Sequence, residues 1–161
     1  MLLTPEHIEQ HPTQPLETPH YAGFWVRLKA ALIDSVLILL VIGPILTVLY
    51  GAQYWDRGTP LVQGAWDIIL NYIFPAIAVV VFWLYKSATP GKIFMHLSIV
   101  DAKTGQKPTT KQFIGRYAAY YVSILPLGAG LIWVAFDPKK QAWHDKLAGT
   151  LVLFTPINQE K

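Results

Sequence analysis

Three long stretches of the chain carry almost no charge. From Ala30 to Tyr54 the only charged side chain is Asp34, and no Lys, Arg, Asp, Glu or His occurs from Ile68 to Tyr85 or from Tyr117 to Phe136. Each is close to the roughly 20 residues with which a helix crosses a bilayer. A soluble helix shows polar residues on one face at a 3.6-residue period, whereas these are apolar nearly all round, so lipid is their solvent. The first span is expected over about 24–50 and the second over about 66–85. Trp25, Tyr50, Tyr54, Trp55, Trp66, Trp83 and Tyr85 gather at their ends, as an interfacial aromatic belt would.

The third run is interrupted by Pro126-Leu127-Gly128-Ala129-Gly130. Pro withholds an N–H and Gly permits a turn, so this is a candidate break. The expectation is a re-entrant hairpin: a helix from about 110 to 125, a turn at 126–130 and a short helix to Phe136. The rival is a single third span with the C-terminus on the far side. Ile93, Met95, Leu97 and Ile99 alternate with Phe94, His96, Ser98 and Val100, which reads as a short β-like amphipathic strand or hairpin with a turn at Thr104-Gly105. Thr109 followed three residues later by Gln112 is a capping-box start. The fold class is therefore an all-α integral membrane protein with two transmembrane helices, a third apolar segment and one short β-like cytoplasmic segment. Residues 1–20, with four prolines, read as a disordered tail, 21–154 as the membrane domain and 155–161 as a C-terminal tail.

Composition agrees with this reading: 53% of the 161 residues are hydrophobic and 14% charged, against about 25% charged in soluble domains. The absence of cysteine excludes disulfides, thiolate nucleophiles and Cys-ligated metal. The start of the chain lacks the basic and apolar regions of a signal peptide. His7 and His11 are four apart but have no third ligand, so neither a metal nor another cofactor is expected.

Charge sets the orientation. Arg27 and Lys29 precede the apolar body of the first span, residues 51–65 contain one cation (Arg57), and residues 86–116 contain six. The positive-inside tendency puts the N-terminus and 86–116 in the cytoplasm. A hairpin would keep Lys139, Lys140 and Lys146 on that side as well. The net charge of +3 is explained by topology, so nucleic acid is not an expected partner; the bilayer is, with attraction to anionic headgroups.

Asp34 demands an explanation, because an acid at membrane depth costs several kcal/mol unless paired, hydrated or protonated. Arg27 is two helical turns earlier, about 10.5 Å along the axis, too far for a direct pair. One expectation is a partnership of Asp34 with Arg116 or Lys146 that fixes helix packing. The other is that Asp34 carries a proton or cation. A second polar cluster, His144-Asp145-Lys146, follows the third run. No hydrolase or nucleotide motif is present, so enzyme activity is not expected, and a lipid-acting enzyme using His144 and Asp145 is the remaining catalytic reading.

Several motifs taken together resemble the RDD family of small, mostly bacterial membrane proteins. They are Gly23-Phe24-Trp25-Val26-Arg27 with Asp34; Thr89-Pro90-Gly91-Lys92; Leu97-Ser98-Ile99-Val100-Asp101 with Thr104-Gly105; Phe113 with Arg116; and the run from Trp143 to Val152. The resemblance implies that Arg27, Asp34 and Asp145 are the family's naming positions, and that the protein lies in the bacterial cytoplasmic membrane. It also brings the suggestion of transport. The candidate ion or proton network is Arg27, Asp34, Arg116, His144 and Asp145. The expected functions are small ion- or proton-coupled transport, in a homo-oligomer, or a non-catalytic role as a membrane subunit, assembly or envelope-stress factor with a partner protein.

Overall fold

A computed structural model describes residues 19–155 apart from 57 and 59. The expected tails, except residues 20 and 155 at their edges and residue 19, and the histidines at 7 and 11 lie outside the described residues, as does Arg57. The first span is α1 (Phe24–Tyr50), 27 residues, about 40 Å at 1.5 Å per residue and so long enough to cross a bilayer. A 3₁₀ turn (Ala52–Trp55) follows. The second apolar run is one helical rod from Ala65 to Lys86, made of α2 (Ala65–Ile68), a π-helical turn (Ile69–Ile73) and α3 (Phe74–Lys86). Pro75 has no N–H to offer the Asn71 carbonyl, and the wider π turn absorbs that loss. Leu39, Leu40, Val41, Val48, Ile77 and Val81 are exposed along these rods, which is stable only against lipid or another apolar surface.

Beyond Ser87 the chain enters α4 (Pro90–Phe94), β1 (Leu97–Asp101) and α5 (Thr110–Ile124), then α6 (Ala129–Ile132) with a 3₁₀ turn (Trp133–Ala135), α7 (Trp143–Ala148) and β2 (Thr150–Phe154). The capping box forms as expected: Gln112 N–H donates to Thr109 Oγ1 at 3.3 Å and Thr109 N–H to Gln112 Oε1 at 2.8 Å. The break in the third run also falls where expected, at a left-handed Gly128 (φ 76°), and the helices on either side are bent by 112°. Gly130 makes the return possible, because a Cβ there would lie 2.6 Å from Ser123 Cα.

Four expectations are corrected. The protein is not all-α, because β1 pairs antiparallel with β2, from Leu97 opposite Phe154 to Asp101 opposite Thr150. The turn at Thr104-Gly105 therefore does not lead into a hairpin partner; Asp101 Oδ1 accepts from the Lys103 and Thr104 N–H groups and the chain proceeds to α5. Ile93 and Phe94 are helical because Pro90 opens α4 with its φ preset, and alternation begins after His96 (φ 52°). Trp83, assigned above to the interfacial belt, is 1% exposed. It packs with Ala22, Ala30, Leu97, Ile99, Phe113 and Val152 in the core, which joins the start of α1, the end of α3, α5 and the sheet.

Candidate functional site

The start of α1 is pinned from below. Gly91 lies so close to α1 that a Cβ would be 2.1 Å from the Ala30 carbonyl oxygen. One turn on, Asp34 receives the Gly91 N–H at 2.7 Å and the Thr89 hydroxyl at 2.6 Å. The acid is thus held by two neutral donors at the head of α4. The expected pairing with Arg116 or Lys146 is not made, because other acids have taken those cations.

Asp145 is the hub. It sits in the first turn of α7, is fully buried, and ion-pairs with Arg27 Nη1 from α1 at 2.5 Å and with Arg116 Nη1 from α5. Its Oδ2 also accepts the Ala142 N–H at 2.9 Å, closing the start of α7. Arg27 further donates to the carbonyls of Ala22 (2.9 Å) and Lys140 (2.7 Å), and Arg116 donates to Thr150 Oγ1 (2.5 Å). Burial alone would push the Asp145 carboxyl up, but the Arg116 and Arg27 guanidiniums outweigh it and hold the group well below the usual carboxylate range. Lys146 pairs instead with Asp137.

His144 is 3% exposed. Its ring stacks on Tyr120 at 3.7 Å between centroids, Nδ1 lies 3.2 Å from Ser123 Oγ, and its backbone N–H donates to that oxygen at 3.1 Å. Burial, reinforced by Arg116, pushes its pKa down to about 2, so the ring is neutral. Its 3.5 Å approach to Asp145 is therefore a dipolar contact and not an ion pair. Ser123, His144 and Asp145 have the composition of a hydrolytic triad. The serine is fully buried, however, and its hydroxyl lies 3.2 Å from both the Ala119 carbonyl and the His144 ring.

Four of the five candidate residues (Arg27, Arg116, His144 and Asp145) thus meet in one network, while Asp34 stands apart from it. All but Asp145 face a common cavity of about 460 Å³ between α1, α3, α5 and α6. Its walls are mainly apolar, including Leu28, Val79, Tyr121, Ile124 and Leu131, and Thr89 and Lys92 complete its polar end. Lys92 was missed as a site residue. Counted from sequence among the surface cations of 86–116, it is 8% exposed, and Arg116 from the same set is fully buried. Its motif, Thr89-Pro90-Gly91-Lys92, was visible, but nothing local showed which way the lysine turns. Asp67 was also missed. It is fully buried near the far end of α1, where it accepts from the Tyr54 hydroxyl (2.7 Å), the Gln63 N–H (2.8 Å) and the Asn71 amide. Among the described residues no cluster of His, Asp or Glu is placed to hold a metal.

Comparison with known proteins fits this architecture. Residues 21–149 match the model of the RDD family. The chain is 31% identical over 147 residues to the uncharacterized membrane protein YteJ of Bacillus subtilis, covering 86% of this chain and 84% of that one. It is 28% identical over 144 residues to the uncharacterized protein YckC of the same organism, covering 87% and 89%. A shorter match, 43% identical over 74 residues, spans 46% of this chain and 40% of the uncharacterized protein RP437 of Rickettsia prowazekii. No solved structure matches. With the paired Arg27–Asp145 and the separately held Asp34 in one helical membrane domain, the chain belongs to the RDD family.

Proposed function

We propose that this membrane protein is a small ion- or proton-coupled transporter of the bacterial cytoplasmic membrane, with the cavity between α1, α3 and α5 as its binding chamber. The observation that carries the reading is the contrast between the two acids. Asp145 is clamped by two guanidiniums and so unfit to exchange its charge. Asp34 lines the cavity and is held only by neutral donors, so protonating it breaks no ion pair. The cations near 27–29 and along 86–116 favour a cytoplasmic N-terminus. The 112° bend favours a re-entrant third segment that returns residues 139–146 to the same side. Two crossing helices enclose no pathway by themselves, so the transporter is proposed to act as a homo-oligomer. Reconstitution into vesicles with a panel of ion and pH gradients tests this: Asp34→Asn should abolish coupled flux while the protein remains folded. Undiminished flux in the variant would remove Asp34 from the mechanism.

A second reading is a non-catalytic membrane subunit or assembly factor, favoured by the way Asp145 joins α1, α5 and α7 into one unit. It predicts stable recovery of a partner protein with the wild type and no flux from the purified chain. A lipid-acting enzyme has the weakest support, since His144 is neutral and stacked on Tyr120 and Ser123 is fully buried.

A further inference from the structure

The polar end of the cavity carries more basic side chains than the acids beside it can pair. Arg27, Lys92 and Arg116 all line it. The two acids nearby are Asp145, shared between both arginines, and Asp34, bonded to Thr89 and Gly91. Three basic side chains thus face two acids, and neither acid is paired with Lys92. That lysine is more than nine-tenths buried; its ammonium lies 5.4 Å from the centre of the Trp83 ring, over which the Arg116 guanidinium also sits at 5.4 Å. Two further donors of this wall, Trp83 Nε1 and Arg116 Nε, are buried without a hydrogen-bond acceptor. Buried donors left in this state cost free energy that a bound acceptor would recover.

From this pole the cavity runs along apolar side chains of the spanning segments: Leu28 and Ala31 on α1, Val79 on α3, Tyr121 and Ile124 on α5. Ile124 and Tyr121 line the cavity and are also exposed on the flank of α5, where lipid would reach them. We propose that it seats an anionic phospholipid of the surrounding bilayer. The phosphate would accept hydrogen bonds from Lys92, and the upper part of one acyl chain would cover the apolar wall. A bare anion would satisfy the cationic end and leave that wall uncovered. A zwitterionic lipid would bring its own cation into a site that already holds an excess of them. The inference shares its cavity with the proposed transport chamber but rests on Lys92 and the apolar wall, whereas the transport reading rests on Asp34, so lipid preference and coupled flux fail separately.

The test uses the full chain purified in a nonionic detergent, with lipid binding followed by native mass spectrometry and by thermal stability. Phosphatidylglycerol, phosphatidylcholine of the same acyl chains and inorganic phosphate are titrated separately. The expected result is about a tenfold preference for phosphatidylglycerol over phosphatidylcholine, the worth of one charge-assisted hydrogen bond in a sheltered site, and no stabilisation by inorganic phosphate. Lys92→Met should reduce the preference to near parity and Lys92→Arg should keep it. Lys111→Met, which removes an exposed cation, should leave it unchanged. Equal binding of the two lipids by the wild type overturns the proposal, with no variant needed. So does an equal loss in Lys111→Met, which would mark general surface attraction, or full stabilisation by inorganic phosphate, which would mark a free-anion site.

Discussion

Replacing Asp145 by Asn removes the one anion shared by Arg27 and Arg116 while keeping the size of the side chain. The amide oxygen can still accept from one guanidinium, but the amide nitrogen then faces the other donors. Arg116 is fully buried and the Arg27 side chain only 12% exposed, so neither charge can turn to solvent in place. Breaking a buried pair from one side costs about 3–5 kcal/mol, most of it the charge left behind. For a chain of this size that is a fall in Tm on the order of 10 °C. The neighbouring residue supplies an internal standard. Lys146 pairs with Asp137, whose side chain is 6% exposed while that of the lysine is 43% exposed, so solvent reaches this pair from the lysine side and Lys146→Met should lower Tm by less than Asp145→Asn. Heating in detergent followed by size-exclusion chromatography measures both. The double variant Asp145→Asn with Arg116→Met should be less destabilised than the two single changes added together, because it removes the stranded cation along with its partner. A loss from Asp145→Asn no larger than that from Lys146→Met would refute the reasoning.

Other outcomes follow from the same geometry. Gly91→Ala places a methyl group 2.1 Å from the Ala30 carbonyl oxygen and should cost about 1–3 kcal/mol by overpacking, visible as a lower Tm and, if α4 shifts, as weaker flux through the displaced Asp34. His144, whose pKa is lowered in the folded state to about 2, makes the unfolded chain the better proton binder below pH 6.5. Stability should therefore fall as pH drops from about 6.5 toward 4, by up to about 1.4 kcal/mol per unit, and His144→Phe should flatten that slope in chemical denaturation. Asp145 has the opposite assignment of charge but the same sign of dependence. Its depressed pKa gives stability that is complete above the ordinary carboxylate range and is lost progressively as pH falls from that range to its lower folded value, so the network itself should survive mild acid.

What could be read from the chain followed its local physics. The two spanning runs, the Thr109–Gln112 cap and the break around Gly128 each depend on residues within a few positions of one another. The network was legible as a set of residue types but not as a set of pairs. Asp34 attracted attention because an acid in an apolar run is conspicuous, yet its partners are a hydroxyl and an N–H from 55 and 57 residues away, and an N–H has no signature in sequence. Asp145 stood in the His144-Asp145-Lys146 cluster with no partner visible in the sequence, and only the return of the chain at Gly128 brings it against Arg116. Strand β2 was hidden for a similar reason: Thr150–Phe154 is too short to identify alone, and its partner lies some fifty positions earlier. Lys92 and Trp83 were misplaced because charge and aromaticity near a span end usually mean the interface, and here the end of α3 is covered by α5 and the sheet.

The Arg27–Asp145 pair joins residues 118 positions apart, and this has a consequence for how the protein is made. At ribosomal speeds of roughly 5–20 residues per second, the first helix waits on the order of ten seconds between the synthesis of its arginine and that of the acid that neutralises it. The first strand waits for its partner in the same way, and the Ala22 N–H bonds the Val152 carbonyl only after nearly all the described chain has emerged. The apolar spans can therefore enter the membrane early, while the charged end that fixes them to one another closes last. A chain cut short before Trp143 would leave Arg27 and Arg116 without Asp145, so synthesis through α7 is itself the step that separates an inserted chain from a folded one.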